Sequence, residues 1–74
     1  MSSSPEEEIK SMLDENIARL RLDDTPSVRY GILSGAMHHW ETCIDCSNSP
    51  DIWPLMEVAD KEIDRLKSEL DEQD

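Results

Sequence analysis

The chain has no phenylalanine, and its aromatic content is two tryptophans and one tyrosine in 74 residues. A core built from such a sequence is aliphatic and thin. One domain is all that this length allows, and at this size folding free energy sits near break-even unless a staple, a metal or a partner subunit is added. Cysteine is scarce as well: Cys43 and Cys46 are the whole supply. Two cysteines at C-x-x-C spacing are too few for the disulfide framework of a small secreted domain. No apolar run approaches the length of a membrane span, and the N-terminus lacks the basic-then-apolar pattern of a signal peptide. A cytoplasmic location with no membrane partner is therefore expected.

Basic residues are the next shortage. Seven Lys and Arg face 18 Asp and Glu, for a net charge of −11. Nucleic acid and anionic membranes are poor partners for such a surface, because phosphate binding needs cations. The balance favours a protein partner with a basic surface. Charge is also unevenly placed: residues 1–24 carry seven acids against three bases, residues 25–49 two against one, and residues 50–74 nine against three.

Against these absences stand three helical patterns. Ser4-Pro5-Glu6-Glu7 combines a cap, a first-turn proline and a capping-box glutamate, and Ile9, Met12, Leu13, Ile17 and Leu20 follow at helical spacing. Asp23-Asp24-Thr25-Pro26 closes this helix and opens the next, with Thr25 or Ser27 as cap. The second pattern has two adjacent stripes, Leu33, Met37, Trp40, Ile44 and Ile32, Ala36, His39, Cys43. So wide an apolar arc implies contact from two sides. Gly31 and Gly35 lie one turn apart within it, a spacing that admits a close neighbour. After the turn-rich Cys46–Asp51 stretch, Ile52, Met56, Ala59, Ile63, Leu66 and Leu70 recur at 4-3-4-3-4, an unbroken heptad seam. The pairs Glu57–Lys61 and Arg65–Glu69 are spaced to support this third helix.

The expected architecture is all-α: a short disordered lead over 1–4, then a single domain over 5–74 with helices at about 5–22, 26–45 and 51–71. A three-helix bundle or helical hairpin-type unit with a central second helix fits this pattern. The thin core, the wide second-helix face and the seam together favour an entwined or side-by-side homodimer.

Every histidine and cysteine falls in His38-His39-Trp40-Glu41-Thr42-Cys43-Ile44-Asp45-Cys46. From His39 the spacing is H-x3-C-x2-C, and on a continuous helix His39, Cys43 and Cys46 share one side. An imidazole and two thiolates are good zinc ligands, although a structural site wants four. The alternatives are that both cysteines are plain core residues or a redox-active pair. The spacing resembles the signature of zinc-binding anti-sigma factors, small helical proteins that sequester a sigma factor. That resemblance covers eight residues and would make His39, Cys43 and Cys46 ligands, but no Cys or His precedes His38 to supply the further ligand.

Catalysis is not expected. The carboxylates fall on solvated helix faces, there is no Gly-rich phosphate loop, and H-E-x-x-H is absent. The best class is a small acidic helical interaction module, a regulator, inhibitor or adaptor that docks through Met37, Trp40 and Trp53 without cofactor. An acidic mimic of nucleic acid, occupying a basic groove, is the remaining alternative.

Overall fold

The computed structural model describes residues 4–43, 45 and 48–73. All regular structure among them is helical: α1 over Pro5–Leu20, α2 over Pro26–Thr42 and α3 over Ile52–Gln73. The chain is a three-helix bundle, 38 Å in its longest dimension and 22 × 21 Å across. Of the lead expected over residues 1–4, residues 1–3 lie outside the described residues, as does Ile44 of the apolar stripe, while Ser4 is the N-cap of α1.

Local chemistry sets the helix starts. Ser4 is extended at φ −72°, ψ 155°, and its Oγ accepts the Glu7 N–H at 3.3 Å. Pro5 occupies the first turn, where its missing N–H costs nothing, and Glu6, Glu7 and Glu8 sit at the positive end of the helix dipole. Thr25, not Ser27, caps α2: its Oγ1 accepts the Val28 N–H at 3.3 Å, with Pro26 following.

The ends of α1 and α2 come earlier than the apolar spacing predicts. Pro26 forces Thr25 into extended backbone (φ −106°, ψ 156°), so the chain must leave α1 some residues upstream. It does so at Arg21, the one non-glycine with positive φ among the described residues. There φ 55°, ψ 43° turns the chain while the Leu22 N–H closes on the Ile17 carbonyl at 2.9 Å. At the end of α2, the Thr42 hydroxyl is directed at the carbonyls of His38 (2.9 Å) and His39 (3.2 Å). Cys43 is already extended, at φ −86°, ψ 113°.

The core is six residues: Ile9 and Leu13 from α1, Leu33 from α2, and Ala59, Ile63 and Leu66 from α3. Met12, Tyr30, Ile32, Met37, Trp40, Leu55 and Val58 pack around them. The centre of the bundle is thus α3 and not α2. Half the core comes from α3, its interface with α2 is the most extensive of the three, and α1–α2 is the least. The reason is the arrangement of apolar residues. In the α3 stripe at 4-3-4-3-4, Ala59, Ile63 and Leu66 are buried and shared by two neighbours, while Ile52, Met56 and Leu70 are half-buried. The apolar residues of α2 spread round the helix and only Leu33 is fully enclosed. No polar or charged side chain is buried among the described residues.

Gly31 and Gly35 are both exposed. A Cβ at either would meet nothing within 4 Å, and neither has positive φ. Their spacing therefore serves no close approach inside this chain. Two outcomes follow. Leu66→Ala, at 1% exposure, should lower unfolding free energy by about 2–5 kcal/mol. Conversely, in the isolated chain Gly31→Ala and Gly35→Ala should each raise it, by about 1 kcal/mol, because alanine fits the helix and loses less entropy. Urea denaturation of the three variants checks both signs.

Candidate interaction surface

Met37 and Trp40 stand on the Leu33 side of α2, at i+4 and i+7. Both are half-buried and packed against the core. They support the bundle. Trp53 differs. Ile52 starts α3, its N–H reaching the Ser49 carbonyl at 3.2 Å, and is half-buried. One residue out of phase, Trp53 is turned outward and is 62% exposed, the most exposed of the large apolar side chains described. Leu20 and Leu22, at 53% and 40%, lie at the α1–α2 turn.

The same one-residue offset continues down α3. Trp53, Glu57, Asp60, Asp64, Lys67 and Asp71 repeat at 4-3-4-3-4, in step with the buried seam, and all six are exposed. By spacing alone these acids fall on solvated helix faces. The signal for a row was the seam itself, since any heptad seam carries a parallel row one residue on.

Ion pairs gather elsewhere. Arg29 on α2 bonds Asp14 of α1 through Nη2 at 3.1 Å and, through Nε, Asp24 of the α1–α2 turn. The Arg29 hydrogen bond holds the Asp24 carboxyl below its ordinary value, and Asp24 in turn raises Arg29. Arg65 bonds Glu62 at 2.6 Å and Glu69 at 3.1 Å, so the expected Arg65–Glu69 pair forms with Glu62 added. Chiefly through the Glu62 hydrogen bond, Arg65 is raised as well. Glu57 and Lys61 form no ion pair. Between the three helices lies a groove of about 310 Å³, floored by Ile9, Leu13 and Val58, with Lys10, Arg29 and Arg65 near its rim. Its two guanidinium groups are already engaged by carboxylates of the same chain, so the groove is no ready anion site.

Of the three residues with zinc-ligand spacing, His39 is exposed on α2, Cys43 is half-buried at its C-cap, and Cys46 lies outside the described residues. The continuous helix that would align all three ends at Thr42. No group of three potential ligands able to hold a metal occurs among the described residues. As a surface residue, His39→Ala should change stability by no more than about 0.5 kcal/mol, with zinc or with chelator. A loss of several kcal/mol seen only in zinc-loaded protein would establish a metal site at this cluster.

No helix among the described residues is long and apolar enough to cross a membrane. No family model, curated protein or solved structure matches the chain.

Proposed function

We propose that the chain is a small acidic helical interaction module, a regulator, inhibitor or adaptor without catalytic activity or cofactor, that docks a basic protein partner through the Trp53 end of α3. The observation that carries this reading is Trp53 itself. A tryptophan has 150–250 Å² of surface to bury, at roughly 25 cal/mol per Å² of apolar area, and it is among the residues most often found to dominate interfaces. A surface of net charge −11 adds the preference for a cationic partner.

A homodimer also belongs to the proposal, but with fewer faces than the sequence implied. The α3 seam closes on α1 and α2 of the same chain, which leaves the outward side of α2. That side exposes Ser27, Gly31, Gly35, His38, Glu41 and Thr42, with Glu41 the one acid among them. Were a second copy seated there, the Gly→Ala variants would dissociate in sedimentation experiments and lose stability instead of gaining it.

The docking reading separates the two tryptophans. Trp53→Ala, outside the core and its packed shell, should cost the fold less than Trp40→Ala does, yet remove binding to a partner captured by the native protein. Trp40→Ala should instead destabilise the fold by about 2 kcal/mol, roughly half the cost of a fully buried tryptophan. A partner retained equally by wild type and Trp53→Ala would refute docking at this end.

A further inference from the structure

We propose that the outward row of α3 is the docking face for a cationic amphipathic helix of another protein, with Lys or Arg repeating at heptad spacing and an apolar residue at the end that meets Trp53. This names the chemistry of the partner in the preceding reading and rests on it. Three observations carry it. First, Trp53, Glu57, Asp60, Asp64, Lys67 and Asp71 are collinear on one helix face, all exposed, over a length of about 27 Å. Second, Glu57, Asp60, Asp64 and Asp71 make no hydrogen bond or ion pair among the described residues, although Lys61 and Lys67 are close in sequence. The bases that do pair on α3 and α2, Arg65 and Arg29, engage other carboxylates. Third, the row is one apolar anchor followed by a ladder of charge, an arrangement that fixes both register and direction of a partner. The acids at the start of α1 lack this order: Glu6, Glu7 and Glu8 are consecutive and fan round the helix.

Charge chooses the occupant. A second copy would bring its own −11, and nucleic acid its phosphates, to a row with four carboxylates and one lysine. A helix is the matching shape, because a 3.5-residue repeat on one helix stays in step with the same repeat on a helix laid beside it. Exposed ion pairs are weak singly, so affinity comes from the anchor and orientation from the ladder.

The test uses the full chain and two synthetic helical peptides of identical composition. One carries Lys at heptad spacing with a terminal Leu, and in the other the same residues are scrambled. Binding is measured by calorimetry for wild type, Asp60→Asn/Asp64→Asn on the row, and Glu8→Gln/Glu15→Gln on α1, both double variants removing two negative charges. The patterned peptide should bind wild type more tightly than the scrambled one. The row variant should weaken it by about fivefold, and the α1 variant by less than about twofold, since distant charges are screened. Equal losses in the two variants, equal affinity for the two peptides, or no binding of either would overturn the row as a docking face. Trp53→Ala separates this from the reading beneath it. If affinity survives that change but falls in the row variant, the ladder stands and docking through Trp53 fails.

Discussion

Everything in this small bundle depends on the contact of one face of α3 with both of its neighbours. Ala59, Ile63 and Leu66 lie between Leu33 on one side and Ile9 and Leu13 on the other, and no second buried cluster exists among the described residues to take over if that contact is lost. Alanine at 59 matters as much as the larger residues, because a small side chain at the middle of the seam lets the helices close. The half-buried shell of Tyr30, Met37, Trp40, Leu55 and Val58 then protects six residues that alone would exclude little water. Methionine and tryptophan suit this role, one adapting to irregular gaps and the other covering area.

Electrostatics works against this contact and is managed by position. Net charge of −11 on so small a body favours expansion. Two devices limit the cost. Acidic residues at the start of α1 face the positive end of its dipole. Arg29 ties α2 to Asp14 of α1 and to Asp24 in the turn, across the α1–α2 interface that has the least apolar contact. Asp24 is fully exposed, so this tie is screened by salt and orients the helices more than it stabilises them. With its carboxyl held low by Arg29, the contribution of Asp24 is present above the ordinary carboxylate range and fades only as pH falls below it.

Helix existence was legible in the sequence because each start carries its own signal. Ser4-Pro5 and Thr25-Pro26 cap as their residue types require. The ends were harder. Apolar spacing runs on through Leu22 and toward Ile44, but spacing cannot say where a left-handed Arg21 or an extended Cys43 will end a helix. The identity of the central helix was misread for a related reason. Low charge and a broad apolar arc on α2 suggested enclosure, yet what enclosure requires is a single narrow stripe that two helices can share, and α3 has it. The alignment of His39 and Cys43 with Cys46 depended on a continuous helix, so the early stop of α2 bears on it directly. Of the three proposed docking residues, spacing could have distinguished them: Met37 and Trp40 fall in phase with Leu33, and Trp53 falls out of phase with the α3 seam.

That last point links stability to the surface. A heptad stripe at 52, 56, 59, 63, 66 and 70, buried at 59, 63 and 66, presents 53, 57, 60, 64, 67 and 71 in a second straight row, whatever their chemistry. On most helices such a row would mix both signs and pair with its flanks. Here it begins with tryptophan, continues mainly as carboxylate, and leaves its neighbouring arginine bonded to Glu62 and Glu69 instead. Solubility alone needs charge but not collinearity, and it is better served without an exposed tryptophan. Trp53 also stands outside the core and its packed shell, and Leu55 near it supplies the apolar contact at that end. What remains to account for an anchor and a charged ladder on one line is a partner that reads them together.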